Sequence, residues 1–239
     1  MGDACRKLNT PVTGGNVSFY NENPGGAVFP TPTIGMLGLV EDVTAHATQS
    51  GLSMPGNTIY LLSPKAWNFR TQHRELGATE YLYTRHGLTR GDAPHLDMTE
   101  ECAVQESALA MIQSGLITSA HDVSDGGLLV ALAECVLFSE NLGVDIRLNP
   151  ESMARLDALL FGEAQSRILL TAAQSKADQL EALVAEHPDV QLTVLGAVSS
   201  NPAISVAVGG KSVLHCTTDA MRTVYFGSIP KHMARRVAA

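Results

Sequence analysis

Three short stretches place polar groups beside paired glycines or at the mouth of a strand. The first is Thr13-Gly14-Gly15-Asn16-Val17-Ser18-Phe19-Tyr20-Asn21-Glu22. Glycines lack the Cβ that would keep a phosphate, or a metal carried on one, away from backbone N–H groups. In an extended segment Asn16, Ser18, Tyr20 and Glu22 share one face, while Val17 and Phe19 share the other. An Asn carboxamide oxygen is a hard ligand of the kind Mg²⁺ accepts, and a Ser hydroxyl two residues on can hold a substrate oxygen. The same pattern also describes a strand with one solvated face and a glycine bulge at its start.

The second stretch is Ser119-Ala120-His121-Asp122-Val123-Ser124-Asp125-Gly126-Gly127-Leu128. A strand end running into a glycine-rich helix start presents unpaired N–H groups and the positive end of the helix dipole, a seat for phosphate. His121, Asp122, Ser124, Asp125, Gly126 and Gly127 are its candidate residues, although a loop of this composition can simply cap its helix. His121 has no second ligand at a useful spacing for a metal. The third stretch, Phe161-Gly162-Glu163-Ala164-Gln165-Ser166-Arg167, puts Glu163 and Gln165 on one side of an extended segment and Arg167 where it can meet a carboxylate or phosphate. A solvated loop with a surface ion pair has the same composition. Gly209-Gly210-Lys211-Ser212 ends like a P-loop, but the first glycine of that motif would fall at Ser205 and strand residues follow, so it reads as a hairpin turn.

The elements that position these residues are read from periodicity. Gly2 to Leu8 reads as a helix stub, Val12 to Glu22, Ile34 to Val40 and Asn57 to Ser63 as strands, and Pro64 to Pro94 as a connection with a short helix near Glu80. From Asp97 onward strands and helices alternate. Asp97 caps a helix that runs to Gly115. A strand (116–121), a helix (126–139), a strand (144–148), a helix (153–160), a strand (167–171) and a helix (175–186) follow. Two strands, 190–198 and 203–216, the second divided at Gly209-Gly210, complete the set, and the basic tail from Lys231 is expected to fray. The expected architecture is α/β (α+β): a partial amino-terminal sheet segment (1–63), a connecting segment (64–94) and a complete carboxy-terminal α/β domain (95–239). Three strands and a stub cannot cover both faces of a sheet, so the first segment is expected to need further polypeptide or self-association.

Composition narrows the partners. The 239 residues carry 16 Lys and Arg against 24 Asp and Glu, a net charge of −8, the wrong sign for binding nucleic acid through phosphates or for adhering to anionic lipid. The longest apolar run, Leu128 to Phe138, contains Glu134 and falls well short of the roughly 20 residues a spanning helix needs. The amino terminus has no apolar signal core, so a cytoplasmic address is expected. Cys5, Cys102, Cys135 and Cys216 have neither zinc-ligand nor disulfide-framework spacing and read as reduced.

Taken in order, TPVTGGNVSFYNE (10–22), PTPTIGMLGLVEDV (30–43), ELGATEYL (75–82), SAHDVSDGGLLVALAE (119–134) and LFGEAQSR (160–167) closely resemble phosphoribosylformylglycinamidine synthase, an ATP-dependent ligase of purine biosynthesis in the aminoimidazole ribonucleotide synthetase-like superfamily. The resemblance implies conversion of formylglycinamide ribonucleotide and ammonia to the amidine. It implies a two-domain unit that occurs twice in the full enzyme, of which this chain resembles the end of the second copy. Carried over by position, Gly15 with Gly14 corresponds to ATP contacts, Asn16 to a Mg²⁺ ligand and Ser18 to a substrate contact. The His121–Gly127 and Glu163–Arg167 segments correspond to motifs of the repeated unit. Ala164 and Thr79 stand where the family usually has Ser. The family's catalytic histidines, nucleotide-binding lysine and most of its magnesium carboxylates belong to the first copy, so the isolated chain is expected to be inactive. The implied partners are the amino-terminal remainder of the enzyme, a glutaminase domain or subunit that supplies ammonia, and a small accessory subunit. The rival reading is a noncatalytic interaction module that holds an auxiliary nucleotide or phosphate.

Overall fold

The computed structural model describes residues 1–16, 20–29, 31–65, 75–149 and 155–237. The chain divides into two units, Met1–Val43 and Thr44–Ala239.

The first unit contains helix α1 (Gly2–Lys7) and a two-residue ladder, β1 (Glu22–Asn23) and β2 (Gly26–Ala27), in which Glu22 faces Ala27 and Asn23 faces Gly26. The Asn23 side chain accepts from the Gly25 N–H at 2.8 Å and shapes the turn between them. The stub at 2–8 is therefore present. Of the strand expected over 12–22 only Glu22 pairs, in β1; the described residues 12–16 and 20–21 have no ladder partner, residues 17–19 lie outside the described residues, and the strand expected over 34–40 has no ladder partner either. A strand exists only through hydrogen bonds to a neighbour, and alternation of side chains cannot supply one.

The second unit is built on a seven-stranded sheet. Its strands are β3 (Thr58–Pro64), β4 (Ser119–Asp122), β5 (Gly143–Leu148), β6 (Ile168–Ala172), β7 (Val190–Ser199), β8 (Ala203–Val208) and β9 (Lys211–Thr217), in the order β4-β6-β3-β7-β5-β8-β9. Every pairing is antiparallel except β5 with β8. The strand expected with the amino-terminal portion, β3, instead lies inside this sheet, third in order, between β6 and β7. Its sequence, Thr-Ile-Tyr-Leu-Leu-Ser-Pro, explains the placement. Ile59 and Leu61 enter one apolar cluster and Tyr60 and Leu62 another, so both faces of the strand are buried.

The helices are α2 (Val43–His46), α3 (Glu80–His86), α4 (Met98–Gln113), α5 (Gly127–Leu137), α6 (Leu156–Phe161), α7 (Ala177–Ala185), α8 (Thr218–Tyr225) and α9 (Ser228–Val237). Leu128, Leu132 and Val136 of α5 and Leu159 and Leu160 of α6 pack against Ile59 and Leu61, with Val144 and Ile146 of β5 in the same cluster. Val104, Ala108 and Met111 of α4 and Leu180 and Val184 of α7 pack on the other face against Tyr60 and Leu62. This is a sheet between two helical layers. Asp97 caps α4 as expected, accepting from the Thr99 and Glu100 N–H groups. Gly209 and Gly210, both at positive φ, make the β8–β9 hairpin turn. The tail differs from expectation. Its residues are helical to Val237, and Pro230 falls in the first turn of α9, where no intrahelical N–H is required.

Candidate functional site

Two of the three stretches come together in the second unit. Strand β4 delivers the loop 123–126 to the start of α5, and Gly126 and Gly127 both adopt left-handed conformations, with φ of 81° and 72°. A Cβ at Gly127 would lie 2.6 Å from the Gly162 carbonyl oxygen and 2.7 Å from the Phe161 carbonyl carbon. Only glycine lets this loop press on the backbone that leads into Glu163.

That approach puts the Gly126 N–H over a carboxylate of the chain itself. Glu163 Oε1 accepts from the Gly126 N–H at 2.8 Å and from the Glu80 N–H, at the start of α3, at 2.9 Å. The Glu163 N–H in turn donates to the Glu75 carbonyl at 3.2 Å, and the Gly127 N–H donates to the Ser124 carbonyl at 3.0 Å.

Arg167 lies beneath, 2% exposed. Its guanidinium donates to the Gly162 carbonyl (Nη2, 2.8 Å) and to the Ala164 carbonyl (Nη2, 2.9 Å; Nε, 3.0 Å), gripping the backbone on either side of Glu163. Its own carbonyl accepts from the Val123 N–H at 3.0 Å, tying it to the glycine loop. Burial pulls the Arg167 pKa down to about 10, and the nearby Glu75 and Glu163 carboxylates oppose that fall, so the side chain remains a cation at neutral pH.

The remaining candidates sit at the rim or turn away. Asp122, Ser124 and Asp125 are exposed. The His121 ring faces the flank of α5. Its Nδ1–H donates to the Asp122 carbonyl at 2.6 Å, and Nε2 lies 3.5 Å from Glu134 Oε2. Glu134 Oε1 accepts from the Tyr225 hydroxyl at 3.2 Å, and burial together with this carboxylate raises the Tyr225 pKa. Gln165 is exposed, with a long 3.5 Å contact to the Pro94 carbonyl. Glu75 and Glu80, which complete the cluster, were not singled out as site residues. Their signal was the ELGATEYL segment, whose role emerges only when Glu163 reaches back to it.

Gly14, Gly15 and Asn16 belong to the first unit, where all three are exposed, and Ser18 lies outside the described residues. Among the described residues, a Cβ on Gly14 or Gly15 would meet nothing within 4 Å. Among the described residues no group of three or more His, Cys, Asp or Glu side chains could hold a metal ion. Mg²⁺ is usually bound by one or two carboxylates besides substrate phosphates, so Asn16 alone does not make a site for it here.

Residues 54–209 match the family model described as AIR synthase related protein, C-terminal domain. The chain belongs to that family. The matched span contains β3 through β8, the glycine loop, Glu163 and Arg167. Members named phosphoribosylformylglycinamidine synthase subunit PurL include one from Salinibacter ruber, 47% identical over 230 residues, which is 96% of this chain and 30% of that one. Another, from Moorella thermoacetica, is 40% identical over 235 residues, 98% of this chain and 30% of that one. The chain thus spans about 30% of the length of the curated relatives it matches. Among solved structures, Thermotoga maritima PurL complexed with FGAR matches the fold with a TM-score of 0.58 at 24% identity, over 73% of this chain and 29% of that one. The same protein complexed with ATP gives 0.56 at 21% identity, over 74% and 27%. Among the described residues no helix is long and apolar enough to cross a membrane.

Proposed function

We propose that this chain is the carboxy-terminal portion of an ATP-dependent phosphoribosylformylglycinamidine synthase. The observation that carries this reading is the 47% identity to a PurL subunit across 96% of the chain. In the reaction so assigned, the γ-phosphoryl group of ATP moves to the amide oxygen of formylglycinamide ribonucleotide. Ammonia then attacks the amide carbon; the C–O bond breaks with phosphate leaving, a C–N bond forms, and loss of a proton gives the amidine. Phosphorylation makes a poor oxygen leaving group a good one, and the protein's task is positioning and charge stabilisation.

In this reading Gly14 and Gly15 leave room for the nucleotide, Asn16 supplies one oxygen ligand to Mg²⁺, and Ser18 contacts the ribonucleotide. The exposed position of Gly14 to Asn16 suits residues that await a second wall from the rest of the enzyme. Thermotoga maritima PurL structures complexed with ADP, ATP and FGAR support the same ligand classes, and the PurLQS structure from that organism supports assembly with further subunits; a glutaminase that supplies ammonia is the partner this reading assigns. A cytoplasmic location accompanies this assignment.

The test is a chimaera in which this chain replaces the matching 30% of the Salinibacter ruber subunit. It is expected to release ADP in the presence of ATP, formylglycinamide ribonucleotide and ammonia. The Asn16→Ala chimaera, altered at an exposed position, is expected to keep its unfolding midpoint and lose about a hundredfold in turnover, the scale of removing one stabilising group from a transition state. A folded chimaera without ribonucleotide-dependent ADP release would overturn the assignment, and an Asn16→Ala variant of unchanged turnover across a magnesium titration would remove Asn16 from the site.

A further inference from the structure

Helix α5 carries no acidic residue in its first turn, no basic residue in its last, and no side-chain cap at Gly126. Its ends are instead met by charges from elsewhere. The Glu163 carboxylate holds the Gly126 N–H at the positive end, and Arg222 of α8 donates to the Leu137 and Ser139 carbonyls at the negative end, at 3.0 and 3.3 Å. An external anion drawn to the start of α5 would meet a carboxylate already seated there.

We propose that Glu163 is a positioning residue that closes the glycine loop from within, taking the place of an external anion and tying the start of α5 to the start of α3. The assignment rests on geometry independent of the ligase reading. One oxygen, Oε1, accepts both the Gly126 and the Glu80 N–H, so the two helix starts are joined through a single atom. The carboxylate cannot swing away freely, because Arg167 grips the carbonyls of residues 162 and 164 and the Glu163 N–H is bound to the Glu75 carbonyl. Gly127 completes the arrangement, since any side chain there would collide with the Gly162 carbonyl and lift the loop from Glu163. The loop so closed holds segment 75–86 in register with the sheet's helical layer and excludes phosphate.

Amide hydrogen exchange of the full chain, read at Glu80 and Gly126, tests this. In the Glu163→Ala variant both amides are expected to exchange at least tenfold faster. Sodium formate, a carboxylate small enough to enter the vacated place, is expected to restore their protection, whereas sodium chloride at the same ionic strength is not. The wild-type chain is expected to respond neither to formate nor to inorganic phosphate. If Glu163→Ala does not fold, Glu163→Gln keeps an amide oxygen without the charge and is expected to show a smaller acceleration that formate leaves unchanged. Unchanged exchange in the variant that folds would overturn the proposal. So would equal restoration by chloride, or protection of the wild-type loop by phosphate.

Discussion

Arg167 concentrates the energetics of the carboxy-terminal site in one side chain. Taking a guanidinium out of water costs several kcal/mol unless its protons are matched, and here a planar fork meets two backbone carbonyls two residues apart while two carboxylates supply compensating charge. Arg167→Lys keeps the charge but replaces the fork by a single ammonium that cannot serve both carbonyls at the same angles. Losing charge-assisted bonds while leaving a buried cation is expected to cost about 3 kcal/mol, read as a shift of the urea midpoint at constant slope. A shift below about 0.5 kcal/mol would show that the fork holds nothing. At this scale the sequence was partly legible. The segment 161–167 declared a carboxylate, an amide and a cation near a strand entry, but gave no sign that Arg167 turns inward. That inversion follows from Val123, Gly162 and Ala164 being buried around it, a property of packing rather than of local composition.

Elements from Asp97 to Thr217, apart from the start of the helix expected over 153–160, whose residues 153 and 154 lie outside the described residues, could be read from the chain because their periodicity, caps and turn glycines agree with the tertiary structure. Asp97, Gly115 and Gly209-Gly210 each terminate or reverse an element where their backbone chemistry demands it. Helix α5 was harder. Its apolar residues announced burial, but its two charged end partners lie 37 residues beyond Gly126 and 85 residues beyond Leu137 in sequence. Burial in this helix also sets a measurable titration. Cys135 is 3% exposed, and burial pushes its thiol from an ordinary 9.0 up to about 12. The folded form therefore keeps its proton where the unfolded form has lost it, so this group's contribution is intact below pH 9 and declines as pH rises toward 12. Between pH 8 and pH 10 the wild-type chain is expected to lose about 1.4 kcal/mol more stability than Cys135→Ala, measured by urea unfolding at each pH. Arg167, common to both chains, cancels in the difference. Equal slopes for the two chains would mean that water reaches the thiol in the native state.

At the scale of the molecule, apolar surface is distributed unevenly between the two units. The residues of both buried clusters lie beyond Gly51, whereas the described residues of Met1–Val43 include Phe29, Met36, Leu37 and Leu39 at 76, 73, 100 and 88% exposure. Exposed apolar runs of this kind mark surfaces that pair with other polypeptide, in keeping with a chain that spans about 30% of its relatives' length. The strand pattern of 12–22 and 34–40 remains legible as a side-chain pattern, but a ladder needs a partner that local sequence cannot provide. It follows that stability and apolar exposure should separate on truncation. Removing residues 1–43 is expected to leave the urea midpoint of the remainder within about 0.3 M, since no member of either cluster is lost, while fluorescence of a bound apolar dye falls by half or more. A large drop in midpoint would show instead that the first segment stabilises the sheet unit. Adding the remaining 70% of a relative's chain should likewise suppress dye binding, because under the proposed function the surface that binds dye is one that the rest of the longer polypeptide covers.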